Sequence, residues 1–335
     1  MSHRARLTAV LALALVAVGC SSPAENSSAP GASSEKVTVA SCGQNLSFNE
    51  PPKRVVSLDQ SSTETLLALG LRDRMVGTSN LKTKIAPKYR AAYDTVPVLS
   101  PKVLTGEQLR AAAPDLAVSS FTDLYTKDRV GTREELRELG LPSFVSAVDC
   151  PEVNKPDTTP FERLFQDYES LGRIFHVEDR ASALVSEQRK ATAQATKARE
   201  ELEGQPSVVW LYSTFKGIPY VAGKGGMPSD MSRLIGARNA FDDVNEEWPE
   251  VSWEEIAQRD PDVIVVGDLS ERGAPGDSAK EKIRMMREHP VVSRLSAVRK
   301  NRIIQVPGIE LDPSVRTVNT LRLFVDGMKD LGHVR

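Results

Sequence analysis

Between residues 50 and 335, short β-branched apolar runs alternate with stretches whose apolar positions recur at helical spacing. That alternation predicts an α/β fold with mostly parallel sheets. The clearest unit is residues 54–80, RVVSLDQSSTETLLALGLRDRMVGTSN. RVVSL reads as a buried strand. Ser61 and Glu64 stand at capping-box spacing ahead of Leu66, Leu67 and Leu69, and Gly70 ends the helix. MVGTS then starts a second strand, completing a βαβ unit. Further along, PVLS (97–100), LAVSS (116–120) and SFVSAV (143–148) read as strands. Helices opened by the Thr105–Gln108 capping box and by Thr132 separate them. Upstream, residues 37–49 alternate like a hairpin edge, and Pro51 and Pro52 break that pattern.

From Phe161 to Leu202 the helical pattern runs without a proline. Phe161, Leu164, Phe165, Tyr168 and Leu171 give a broad apolar face. Beyond Glu178 only Ala181, Leu184, Val185, Ala191 and Ala195 keep the stripe, as expected of one long helix lying on a surface. A second α/β run follows, with strands at SVVWLY (207–212), VIVVG (263–267) and RIIQV (302–306). The halves repeat. LTGEQLRAAAPDLAVSS (104–120) and VSWEEIAQRDPDVIVVG (251–267) share a hydroxyl cap, a Glu, an apolar helix, Pro-Asp and a strand, at an offset of 147 residues. The pattern therefore implies two Rossmann-like α/β lobes with mostly parallel sheets, bridged by one long α-helix. The expected divisions are 1–19, 20–36, 37–160, 161–204 and 205–335.

The N-terminus adds a compartment. Arg4 and Arg6 precede the 12-residue apolar run LTAVLALALVAV and then Gly19-Cys20, a secretory signal. AVGC resembles the lipobox of bacterial lipoproteins, with Ala17 where Leu is commonest, which makes Cys20 the expected lipidated residue. Plain cleavage after Gly19 is the alternative. SSPAENSSAPGASSE after Cys20 is a small, polar, flexible tether. In an oxidising compartment Cys42 and Cys150 form an even pair flanking the first lobe, so a disulfide is expected, with two buried thiols as the alternative. Closing a loop of about 100 residues is worth up to ~4–5 kcal/mol in the chain-entropy account. Charge is ordinary at 26%, and the net charge is −2, falling to −4 once the leader takes Arg4 and Arg6 with it. Nothing in that balance is basic enough to suggest a nucleic-acid binder, and no later run is long and apolar enough to span a membrane.

Together RVVSLDQSSTETLLALGL, LAVSS, NEEWPEVSWEEIAQRDPDVIVV and VRKNRIIQVPG, in this order behind a lipobox, resemble the substrate-binding proteins of class III ABC importers, which bind iron-siderophores, haem or cobalamin. The resemblance covers most of residues 50–335. It implies a ligand cleft between the lobes, limited closure, and a membrane permease dimer with its ATPase as partner. It also implies that Glu107 and Glu254 dock the two lobes on that permease. The bland reading of both acids is stabilisation of a helix N-terminus, worth ~0.3–1 kcal/mol each. A monomer anchored to the cell membrane by its N-terminal lipid is expected.

In open α/β sheets ligands bind beyond the carboxyl ends of strands. That rule selects Asp59 and Gln60, then Phe121 and Tyr125 with Lys127 and Arg129 behind them. It also selects Tyr212, Lys216, Tyr220, Lys224 and Met227, then Trp248, Glu310 and Arg316. For each, packing or solvation is the competing reading. Aromatic faces and Arg suit a bulky chelate, and the available Lys and Arg favour an anionic ferric siderophore, with haem or cobalamin as the alternative. GKGG (223–226) lacks the GxxxxGK[ST] spacing of a phosphate loop. The four His form no ligand pair, so no metal site and no cofactor is expected, iron arriving inside its chelator. No GxSxG or HExxH motif appears, so an enzyme is not expected. A hydrolase on this fold and a ligand-sensing surface lipoprotein are the competing classes.

Overall fold

A computed structural model describes residues 36–153, 155 and 157–335. The expected leader, the tether up to Glu35 and the lipidation site Cys20 lie outside the described residues. The described residues begin with an antiparallel hairpin, β1 (Val37–Ser41) and β2 (Gln44–Phe48). A five-stranded parallel sheet follows: β3 (Val55–Ser57), β4 (Met75–Ser79), β5 (Val98–Ser100), β6 (Leu116–Ser119) and β7 (Ser143–Val145), in the order β5-β4-β3-β6-β7. Its helices are α1 (Gln60–Ala68), α2 (Arg90–Tyr93), α3 (Gly106–Ala111) and α4 (Arg133–Glu138). Strand order reverses between β3 and β6, where Val55 pairs with Leu116 and Ser57 with Val118.

The second sheet runs β10-β8-β11-β12, all parallel: β8 (Ser207–Phe215), β10 (Arg238–Asn239), β11 (Val263–Asp268) and β12 (Ile303–Pro307). Strand β9 (Ile218–Val221) folds back antiparallel on β8. Helices α7 (Met227–Ile235), α8 (Trp253–Arg259), α9 (Ala279–Glu288), α10 (Ser296–Arg299) and α11 (Thr317–Asp330) complete this lobe. Among the described residues no helix is long and apolar enough to cross a membrane.

The stretch expected as one helix is two. α5 (Pro160–Phe175) ends at His176, whose φ of 52° and ψ of 49° are left-handed, and α6 (Glu178–Glu201) begins two residues later. The two helices fold into a hairpin: Arg189 pairs with Glu162 and lies over the Phe165 ring, and a Cβ on Gly172 would sit 2.5 Å from that of Ala181. α6 is the bridge. Arg180 at its start donates to the Leu69 and Gly70 carbonyls of the first lobe, while Gln188 donates to the Val315 carbonyl of the second. At about 1.5 Å per residue its 24 residues span about 36 Å.

The internal repeat holds to the residue. α3 and α8 begin at 106 and 253, and β6 and β11 at 116 and 263, all at the offset of 147. Both helices carry complete capping boxes, Thr105 with Gln108 and Ser252 with Glu255. The Pro-Asp dipeptide has one job in both lobes. Asp115 accepts from the Lys53 and Arg54 amides at 2.7 and 2.8 Å ahead of β3, and Asp262 accepts from the Ser207 amide at 2.8 Å at the start of β8. A disulfide joins Cys42 to Cys150, across 108 residues.

Candidate functional site

The carboxyl ends of both sheets meet in one cleft, and its centre is a lysine that the strand-end reading passed over. Lys82 lies in the loop after β4. Its Nζ donates to the Tyr212 hydroxyl at 3.0 Å and to Asp312 Oδ2 at 3.1 Å, both on the second lobe. It stands 5.2 Å from the Phe121 ring centroid and 5.5 Å from that of Tyr212. The Trp248 ring backs Tyr212 at 4.6 Å. Burial pulls this ammonium down, but Asp312 and Tyr212 reverse that and hold it above the usual lysine range. Burial, with Asp312 adding to it, pushes the Tyr212 phenol up to about 12, so it stays protonated.

Gln60 fixes the Lys82 loop. Its Oε1 accepts from the Lys82 and Thr83 amides at 3.0 and 2.9 Å, and its Nε2 donates to Thr83 Oγ1 and the Lys84 carbonyl. Asp59 caps α1, accepting from the Ser62 amide at 2.9 Å, and ties β6 in by accepting from Ser119 Oγ and the Ser120 amide. This corrects the expected Ser61–Glu64 capping box. Asp59, two residues earlier, takes the cap, and Glu64 is released for other work.

Glu64 Oε1 accepts from Gln60, from the Ala86 amide at 3.2 Å, and from Arg316 across the cleft at 3.5 Å; its other oxygen is buried without a partner. Burial pushes Glu64 up and Arg316 opposes it. Arg316 is aimed by Glu310, which accepts its Nε and Nη2 at 3.1 and 2.9 Å and is itself held by Asn319. A cavity of about 390 Å³ opens here, lined from both lobes by Thr83, Asp268, Glu271, Ile309 and Arg316. At its edge the Lys84 amide donates to Glu271 at 2.7 Å. Apart from this cavity, Asp149 of the first lobe faces Glu247 of the second, near Lys82 and Asp312. Burial pushes both carboxyls up; the Asp149 charge adds to the rise of Glu247, while Thr122, donating to Asp149 through its amide and hydroxyl at 2.6 Å, opposes the rise there.

Beneath the cleft Lys282 is fully buried, donating to the carbonyls of Tyr212, Gly267 and Asp277 at 2.6, 2.5 and 2.8 Å. It locks the ends of β8 and β11 together, and burial pulls its ammonium down to about 8.

The structure thus brings Gln60, Phe121, Tyr212, Trp248, Glu310 and Arg316 to the cleft, with Asp59 at its base. Three selected residues are elsewhere. Tyr125 is 5% exposed in the first lobe's core and donates to the Phe144 carbonyl. Met227 is wholly buried at the start of α7. Lys224 is exposed beside a separate cavity of about 610 Å³ that includes Arg163, Ser229 and Asp242. Position in a loop after a strand does not say which way a side chain turns, and these three side chains turn away. Lys127, Lys216 and Tyr220 stay at the periphery, and Arg129 pairs locally with Asp123. The same rule applied to β4 would have found Lys82; Glu64, Asp149, Glu247 and Lys282 carry no pattern that marks them.

Glu107 and Glu254 are exposed at the second position of α3 and α8. His289 Nε2 is 3.8 Å from Glu254; the other described histidines, His176 and His333, lie on the linker and near the C-terminus, so none reaches the cleft.

Comparison with known proteins matches residues 55–309 to the family described as periplasmic binding protein. A curated relative, the uncharacterized ABC transporter substrate-binding lipoprotein YvrC of Bacillus subtilis, is 25% identical over 99% of this chain and 96% of its own length. The cobalamin-binding protein of Halobacterium salinarum is 25% identical over 81% of this chain and 71% of its own. Among solved structures, one described as an ABC-type Fe3+-hydroxamate transport system from Saccharomonospora viridis is 26% identical, with a TM-score of 0.73 over 87% of this chain and 98% of that one.

Proposed function

The chain belongs to the periplasmic binding protein family, and from that premise we propose that it is the extracytoplasmic solute-binding lipoprotein of an ABC importer that captures a ferric siderophore. The chelate binds between the lobes and is handed to a membrane permease dimer driven by its ATPase. Phe121, Tyr212, Trp248 and Arg316 are the proposed contacts, with Lys82 added to them, and Gln60, Asp59 and Glu310 hold those contacts in place. Glu107 and Glu254 are the proposed docking acids. No covalent chemistry is required of any of them.

The observation that carries this reading is the convergence of aromatic faces and a planar guanidinium on one cleft at the carboxyl ends of two parallel sheets. A relative described as an Fe3+-hydroxamate system supports the siderophore class. Cobalamin is a second reading, favoured by the relative named for it. Haem held by histidine is not favoured, because no described histidine reaches the cleft.

Fluorescence decides between them. Trp210 is buried in the core two residues before Tyr212 on β8, its Nε1 donating to Ser232 Oγ at 2.8 Å. Trp248 is the reporter, stacked on Tyr212. Titration with ferric hydroxamates, ferric catecholates, haem and cobalamin should give saturable submicromolar quenching by a ferric siderophore, reduced in Trp248→Phe. Quenching by cobalamin alone would establish the second reading. No quenching by any of the four would overturn both.

A further inference from the structure

We propose that the pocket holding the Lys82 ammonium is a subsite for a positively charged group on the ligand, which takes over the place that Lys82 fills. This deepens the importer reading and rests on it.

The pocket has the parts that recognise an ammonium. Asp312 is 2% exposed and supplies a carboxylate at 3.1 Å, the Tyr212 hydroxyl stands at 3.0 Å, and the rings of Phe121 and Tyr212 present faces at 5.2 and 5.5 Å. A carboxylate beside aromatic faces favours a cation through both its charge and the ring quadrupoles. Lys82 can leave without unfolding its loop. Gln60 holds that loop by backbone amides and a carbonyl, not by the lysine side chain, and the four-carbon stem is flexible.

Charge says what must replace it. Glu64, Glu310, Asp312, Asp149 and Glu247 gather on this cleft with Lys82 and Arg316, and Arg272 adds its field to Tyr212 and Asp312. Arg316 is already shared by two of the acids. If the lobes part and Lys82 swings out, Asp312 is left as a buried carboxylate without its counter-ion, with Glu247 and Asp149 close by. An unpaired buried charge is strongly unfavourable, and an anionic ligand would add to the deficit. A cationic group on the ligand removes it.

The consequence for substrate class follows from ligand charge. Three singly charged hydroxamates around Fe3+ give a neutral complex, whereas three doubly charged catecholates leave it strongly anionic. A pendant amine for the Asp312 pocket, on a chelate that adds no negative charge beside it, points to a neutral hydroxamate complex. This proposal differs from the expectation, drawn from the available Lys and Arg, of an anionic complex.

Lys82→Ala tests the subsite without any chelate. Propylammonium, which restores the missing side chain beyond Cβ, should raise the thermal midpoint of this variant by several degrees and shift Trp248 emission in a saturable way. Propan-1-ol at matched concentration and ionic strength should do neither. The wild type, and Lys82→Ala combined with Asp312→Asn, should not respond. Equal effects of amine and alcohol, or an equal response in the wild type, would overturn the proposal. On the wild type, ferrioxamine B, a ferric trihydroxamate with a free amine, should bind at least tenfold more tightly than its N-acetyl derivative. Equal binding would overturn the proposal as well. If neither chelate binds, the siderophore reading falls, and the propylammonium result still decides whether the subsite exists.

Discussion

Asp167 shows at the scale of one residue how the fold sets a protonation state. Its carboxyl is buried on α5, where Ser146 Oγ donates at 2.6 Å and the Ala147 amide at 3.0 Å, and burial pushes it up to about 7. Two donors do not offset the loss of water around a full charge. Because the folded value lies above the unfolded one, the folded state binds more protons between the ordinary carboxylate range and pH 7. Its stabilisation is therefore complete at low pH and lost as pH rises through 7, an effect of at most about 4 kcal/mol. Asp167→Asn keeps the shape and removes the titration. Urea unfolding of both proteins at pH 5 and pH 8 should show the wild type losing more stability than the variant; parallel losses would show that Asp167 is charged throughout. Glu64 and Asp149 are also pushed up by burial, but they are common to both proteins and cancel. None of these shifts was legible in the sequence, because each depends on what lies across a cleft or under a strand. Tyr212, Trp248 and Arg316 were legible, because a strand end aims a loop at the crevice whatever the rest of the chain does. Tyr125 and Met227 satisfied the same rule, yet they face a core, since the rule fixes the position of a loop and not the rotation of its residues.

At the scale of elements the informative departure is the linker. The apolar stripe narrows after Glu178, and that change of face marks where α5 stops and α6 begins. A helix turning back on itself needs a left-handed residue, and His176 supplies it at φ 52°. For a residue other than glycine that conformation costs about 1–2 kcal/mol. His176→Gly should therefore stabilise the protein by about 0.5–1 kcal/mol, read as a higher urea midpoint with an unchanged slope. His176→Val should destabilise it, since a β-branched side chain tolerates φ above zero poorly. A loss of stability in the glycine variant would mean that the imidazole makes a contact worth more than the strain. Other elements were legible because their signals are local. The capping boxes at Thr105 and Ser252 and the glycine stops at Gly70 and Gly140 satisfy backbone groups within one turn. The first helix escaped because two signals overlapped: Ser61 to Glu64 has the spacing of a box, but Asp59 two residues earlier is the better acceptor.

Across the whole molecule, the repeat puts the same exposed acid on both lobes. Glu107 and Glu254 occupy the second position of α3 and α8, 147 residues apart, behind matching capping boxes. A helix N-terminus favours an acid there by about 0.3–1 kcal/mol without any partner, so the local stability of two helices explains their presence as well as docking does. The two accounts differ in what a double charge reversal does. Glu107→Lys with Glu254→Lys forfeits both dipole interactions, a cost of about 1–2 kcal/mol by that principle that a domain with a disulfide spanning 108 residues can absorb while staying folded. Neither acid touches the cleft, so chelate affinity by Trp248 quenching should be unchanged. Under the docking reading, uptake by cells carrying the intact importer should fall to background, with each single reversal intermediate, because one lobe would still engage the permease. Under the helix-dipole reading, uptake should follow the small change in stability and stay near the wild type. Unchanged uptake at matched protein levels would return both acids to their helices, and the permease contact would then have to lie elsewhere on the two lobes.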